Sequence, residues 1–386
     1  MVTPLPPRSR TSASVGLIRL GIMSWPRRNS VMARWALLAY VAVIVYASLH
    51  PFQSWRNPGI DPWEFVLAPW PRYWTGFDLV TNWLAYVPLG ALMVWTFYPR
   101  YRPWWAVILA FLGGAMLSAS LEGLQTYLPN RISSNVDLGC NALGALCGAG
   151  LGQLTARSFI DKGRLREWRL RWFEHQASAG LVLVAAWFAA QLHPQALAFG
   201  TGEVLSPLLD VIEPWFDAMS WWPDPAVLSP EQHLIAETIA STTAFSGAAL
   251  LFLWLMRPLA PHLRLLGLFA LSAWLVKSVG AATLIEPGLA WSWATPAASF
   301  GFALGLAFTA AASFTPHQVQ RVLAIMGIGG GLVVVNLMPD NPYYLASLAQ
   351  WRQGAWINFN GLLNVLAMAW PFIALAYLFL AARRVK

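Results

Sequence analysis

Long apolar runs alternate along the chain with short polar stretches. Runs of a length that crosses a bilayer, about 17 to 25 residues, fall near 33–50, 78–98, 104–124, 136–156 and 177–193. Five more fall near 234–256, 262–285, 289–313, 318–338 and 356–382. These ten stretches predict an all-α, polytopic integral membrane protein. The fifth run is short. The moderately apolar PQALAFGTGEVLSPLLD that follows it is expected to lie in the membrane interface or to re-enter. The polar stretches divide the chain into a basic arm (1–32), a four-helix unit (33–158), a basic loop (159–176) and a six-helix region (177–386).

Composition agrees with a membrane chain. Of its 386 residues, 57% are hydrophobic and 11% charged, where a soluble domain carries about 25% charged residues. Mean hydropathy is +0.51. The net charge of +8 could suggest nucleic acid in a soluble protein, but here it follows topology. With both termini cytoplasmic, 20 of the 25 Lys and Arg lie in inner segments. Arg56, Arg72, Arg131 and Arg352 lie outside and Lys277 lies within a span, a split that the positive-inside rule favours. No nucleic-acid partner is therefore expected; the bilayer itself is the partner.

The first thirty residues lack the apolar core of a signal peptide. They read as a cytoplasmic arm, or as an over-extended gene start with Met23 or Met32 as initiator. Between Pro51 and Phe77, five prolines and four tryptophans predict an outer interfacial loop, because proline breaks helix and Trp settles at headgroup level. Cys140 and Cys147, seven residues apart on one helix, are about 10 Å apart along its axis and cannot pair with each other. No Cys/His spacing resembles a zinc site, and neither a metal nor a cofactor is expected.

The polar residues of the N-terminal part fall at one membrane level. Asp78 and Asn82 open the second span, Glu122 and Gln125 close the third, and Asp137 and Asn141 open the fourth. Spacings of three and four put each pair on one helical face. Arg131 lies in the short loop between the third and fourth spans. Below Asn141, Gly144, Gly148 and Gly152 share its face, a small-xxx-small pattern that allows close helix approach. Intramembrane carboxylates are functional candidates by default. The plain alternative is that Asp78 and Asp137 cap helix N-termini. Glu122, at a helix C-terminal end, opposes the dipole and needs a partner, for which Arg131 is the expected residue.

The segments DLVTNWLAYVPLGALMVW and SLEGLQTYLPNRISSNVDLGCNALGALCG resemble the VanZ-like family of small bacterial membrane proteins. The matching pattern is Asn82, Pro88 and Gly90, then Glu122 and Gln125, then Arg131, then Asp137, Asn141, Gly144 and Gly148. It covers about residues 35–155. The resemblance implies a multi-pass inner-membrane protein of the cell envelope and a link to resistance against the glycopeptide teicoplanin. Many relatives have four spans, so six additional ones set this chain apart.

The second half carries a candidate diverged repeat. LMPDNPYY, WRQ and FNGLLNVLAMAWPF are similar to LHPFQSWR and FDLVTNWLAYVPLG, with Asn360 and Asn364 standing where Asp78 and Asn82 stand. His233, Glu237 and Lys277 fall near the same outer level. Lys277 is expected to pair with a carboxylate or to snorkel to the interface.

Three functions fit these residues. The first is binding of an anionic lipid or lipid-linked precursor headgroup at Arg131. The second is a membrane-embedded transferase or hydrolase with Glu122 or Asp137 as general base. The third is a small-molecule or ion carrier, against which the polar residues sit at the outer edge rather than the midplane.

Overall fold

The computed structural model describes residues 31–382 except 51, 71–74, 99, 157–163, 175, 207, 209–228, 285–286 and 339–356. The basic arm and most of the LMPDNPYY and WRQ segments of the candidate repeat lie outside the described residues. The fold is all-helical, and no strand occurs among the described residues. The first four helices are α1 (Val31–Leu49), α2 (Gly76–Phe97), α3 (Pro103–Gln125) and α4 (Asn135–Ala156). They are followed by α5 (Arg164–Trp172), α6 (Ser178–Ala190), α7 (Pro230–Trp254) and α8 (His262–Leu284). The last three are α9 (Pro296–Ala312), α10 (His317–Leu337) and α11 (Ile357–Ala382).

All ten apolar runs are helical. Among the described residues, seven helices, α1, α2, α3, α7, α8, α10 and α11, are long and apolar enough to cross a membrane. Of the other three, α6 has 13 residues and α9 has 17. At about 1.5 Å per residue these reach roughly 20 and 26 Å, short of a hydrocarbon core of about 30 Å. In α4, glycines and polar side chains dilute the apolar run. The additional helix, α5, falls in the expected basic loop, where RLREWRLRW combines good helix formers with Trp168 and Trp172 four apart and stacked.

The helix starts obey local chemistry. Pro103, Pro230 and Pro296 occupy first-turn positions, where the missing N–H costs nothing. Ser229 and Gln232 form a reciprocal capping box at α7. Thr75 caps α2 and Thr295 caps α9. Outward faces carry large apolar side chains such as Met116, Leu154 and Met326, as expected of surface that meets lipid rather than water.

Inside, α1–α4 share a core around Ile44, Tyr86, Leu89, Leu121 and Ala145. A second core, between residues 177 and 378, centres on Trp187, Phe199, Phe245, Phe269 and Trp370. In addition, α1 lies against α6 and α11.

The segment after α6 is not a helix. Residues 197–202 are buried in extended and turn conformations. Phe199 holds φ 63°, a region that bulky residues seldom enter. Rings of Trp187, Phe245, Trp293 and Phe302 surround it at centroid distances of 5.4 to 6.1 Å. Irregular backbone at such depth must be satisfied from within the protein. Asn336 does much of this, accepting from the Val204 and Leu205 N–H groups (2.9 and 2.8 Å) and donating to Gly202 O (2.8 Å). The Gly202 N–H reaches Ala367 O. Substituting Asn336 by leucine should lower stability by about 2 kcal/mol, because two backbone donors lose their acceptor. Thermal unfolding in detergent reads this directly, and an unchanged midpoint would mean that water satisfies the segment.

Candidate functional site

The outer polar residues are placed by helix ends. Four ends meet at one level: the C-termini of α1 and α3 and the N-termini of α2 and α4. Each end leaves backbone groups without intrahelical partners, and the predicted polar residues serve them. Arg131 Nη2 donates to Ala47 O (3.2 Å) and His50 O (3.3 Å), and Gln125 Nε2 donates to Ser48 O (2.9 Å). Arginine and glutamine therefore close the carboxyl end of α1, where positive charge also suits the helix dipole.

Glu122 is 5% exposed. Its Oε2 accepts the Ser134 backbone N–H at 2.9 Å, just before α4. Ser134 Oγ in turn accepts from the Val136 and Asp137 N–H groups. The partner of Glu122 is thus a backbone donor at a helix start, not the arginine side chain. Arg131 still senses this carboxylate. Burial pulls the guanidinium below its ordinary pKa, and the charge of Glu122 pushes it back up.

The remaining residues tie α2 to its neighbours. Asp78 Oδ2 accepts from Thr75 Oγ1 at 2.6 Å while the Asp78 N–H donates back to Thr75 Oγ1, so this carboxylate is not itself the cap of α2 but orients the threonine hydroxyl that is. Asn82 and Asp78, both on α2, lie close enough to the carboxylate of Asp137 on α4 to act on it electrostatically. One turn deeper, Asn141 Nδ2 donates to Ser118 Oγ at 2.9 Å. Tyr86 on α2 interacts electrostatically with the same serine, so α2, α3 and α4 meet around one buried hydroxyl. Asn141 Oδ1 is buried without a partner.

Below this level α2 and α4 touch through backbone. A Cβ on Gly144, Gly148 or Gly152 would collide with main-chain atoms of Trp83, Val87 and Ala91, and one on Gly90 with Ala145. Pro88 lies inside α2, which continues through it, and is exposed.

The tryptophan loop crosses this end of the bundle. Arg56 N–H bonds Tyr127 O, and Asn135 Nδ2 bonds Ala68 O at 2.6 Å. Trp55, Trp63 and Trp70 are exposed. Ser118 is on the face of Glu122, one turn before it, as spacing predicts; Ser134 and Tyr86 are the partners that letter patterns did not single out as a site. Tyr86 stands four residues after Asn82, which places it on the same face.

The family model VanZ/LLP1 matches residues 19–156. The N-terminal part of the chain is a VanZ-like domain. Nothing among curated proteins or solved structures matches the chain. The matched stretch contains every residue of the outer polar cluster, so the ties just described are the internal architecture of the VanZ-like domain.

Beyond the VanZ-like domain, Lys277 is buried and donates to His193 O (3.3 Å) and Gln195 Oε1 (2.9 Å) just past α6. It neither joins a carboxylate nor snorkels in these contacts; it sits where helix carbonyls run out of partners, a place that favours a cation. Glu237 accepts from Thr295 Oγ1 at 2.6 Å, and the same hydroxyl caps α9. His233 is partly buried one turn before Glu237, and Asn364 is exposed. The side chain of Asn360 lies outside the described residues.

Proposed function

We propose that this protein is a ten-span inner-membrane protein of the bacterial cell envelope, with both termini cytoplasmic. Its VanZ-like domain holds the phosphate of an anionic lipid or lipid-linked wall precursor at Arg131. One observation carries this reading. Arg131 spends a single nitrogen, Nη2, on the end of α1. Its Nε and Nη1 make no hydrogen bond with any described residue and are not buried. A guanidinium fixed at one corner with its remaining donors open is pre-organised for a phosphate oxygen pair. Around it stand exposed Ile132 and the tryptophan loop, which suit headgroup depth.

A link to glycopeptide tolerance belongs to the same proposal, since a protein that retains a lipid-linked precursor alters what an antibiotic can reach. Catalysis draws less support. Glu122 already accepts a backbone N–H, and Asn82 acts on the Asp137 carboxylate. A carrier draws less as well, because the cluster lies at helix ends rather than at the midplane.

Mass spectrometry of co-purifying lipids tests the reading. Arg131→Ala should deplete one anionic or lipid-linked species about tenfold, the worth of one charge-assisted hydrogen-bond pair, and Arg131→Lys should retain part of it. Equal lipid profiles in a folded Arg131→Ala protein would leave the cluster as a lock between α1, α3 and α4 and nothing more.

A further inference from the structure

A cavity of about 640 Å³ opens between the α7–α8 and α9–α10 connections, far along the chain from Arg131. That volume falls within the roughly 300 to 1,000 Å³ of small-molecule sites. Its lining includes His262, Arg264, Ser313, Thr315 and His317 and contains no acidic residue. Arg264 is exposed and makes no hydrogen bond or ion pair with any described residue. His317 is held in place by Trp254 O at 2.6 Å and by stacking on the Trp254 ring.

The rim is apolar. Phe314 is 80% exposed and lines the cavity, and Leu263 beside Arg264 is half exposed. Leu259, on the same connection, is almost wholly exposed. Large apolar side chains around a cationic hollow match an interface where headgroup and acyl chain meet. The neighbouring helix α5 extends the basic surface. Its carboxyl end is fastened to the α7–α8 connection by Arg257 N–H to Trp172 O (2.8 Å) and Arg257 Nη1 to Leu170 O (3.0 Å). In the last turn of α5, Arg171 is exposed, whereas Arg169 is turned to Ser178. The first turns of α8 and α10 also border the hollow, and their backbone N–H groups add a favourable field for an anion.

We infer that this cavity is a second, separate site for a phosphate-bearing ligand, namely the headgroup of an anionic phospholipid in the leaflet opposite the Arg131 cluster. Arg264 supplies the charge, His262 supplies a hydrogen bond to the phosphate, the Ser313 and Thr315 hydroxyls, whose protons go to Ala310 O and Ala312 O, accept from the headgroup's own hydroxyls, and Phe314 with Leu259 contacts the acyl chains.

The test uses delipidated full-length protein titrated with phosphatidylglycerol and, separately, with glycerol phosphate, read by native mass spectrometry. The phosphatidylglycerol binding that persists in Arg131→Ala should weaken about tenfold when Arg264→Ala is added and survive when Arg264→Lys is added instead. Because Arg264 is exposed and unpaired, these variants should fold, with the thermal midpoint as the check. Glycerol phosphate binding with the same Arg264 dependence, in the absence of lipid uptake, would assign the site to a soluble phosphate ester and overturn the lipid assignment. Phosphatidylglycerol binding equal in Arg131→Ala with and without Arg264→Ala would overturn the site itself.

Discussion

Gly148→Val is expected to remove the folded protein almost entirely. The Cα of Gly148 lies against the main chain at Val87, where even one added carbon would meet the carbonyl. Backbone cannot rotate away as a side chain can, so α2 and α4 would have to separate along their whole contact. Gly144 and Gly152 make the same kind of approach one turn above and below, and a shift at one position opens all three. Overpacking in an adaptable core costs about 1 to 3 kcal/mol. Against two rigid helices the expected loss exceeds about 3 kcal/mol, at the severe end for single substitutions. Gly150, on the same helix, has open space around it. Gly150→Ala should leave stability equal or raise it by up to about 1 kcal/mol through helix propensity. Size-exclusion profiles and thermal midpoints of the pair separate a packing effect from a general intolerance of α4. Similar midpoints for Gly148→Val and wild type would contradict the close contact.

The second large effect is expected at Glu122. Its carboxylate lies in the protein interior and takes the Ser134 N–H at the start of α4. Glu122→Ala leaves that donor unmet, opens a void between α3 and α4 and removes the negative charge that Arg131 senses. Together these should cost about 3 kcal/mol. Glu122→Gln keeps an acceptor oxygen of the same reach and should lose only about 1 kcal/mol. Unfolding midpoints in one detergent rank the three proteins. If glutamine is as damaging as alanine, the charge rather than the hydrogen bond holds this end of the bundle together. If neither changes the midpoint, Glu122 has no structural part, and a chemical role gains weight.

Much of the architecture is legible in the letters because lipid imposes a simple rule. A backbone that cannot reach water must bond to itself, so each long apolar run becomes a helix. The Gly144, Gly148 and Gly152 spacing likewise marks the face of α4 that meets α2. Other features escape for physical reasons. A basic stretch such as RLREWRLRW reads as a loop when charge alone is weighed, although its residues favour helix and its tryptophans stack. The segment around Phe199 is moderately apolar, and nothing in its composition announces a positive φ held by surrounding rings.

The site divides in the same way. The level of Asp78, Asn82, Glu122, Gln125, Arg131, Asp137 and Asn141 follows from their places at span ends. Their partners do not follow. Charge pairing suggests that Glu122 meets Arg131, yet each is engaged by backbone, Glu122 by the Ser134 N–H and Arg131 by the carbonyls of Ala47 and His50. Main-chain donors and acceptors have no letter of their own, so orphan groups at helix ends become visible only when the ends are brought together.

The most direct measurement is a cryo-electron microscopy map of the full-length protein in nanodiscs made from bacterial lipid. Density for a phosphate group against Nε and Nη1 of Arg131, with Nη2 still on the end of α1, is the predicted result. A well-resolved guanidinium facing only water, or turned inward to Glu122, would contradict a headgroup site in the VanZ-like domain.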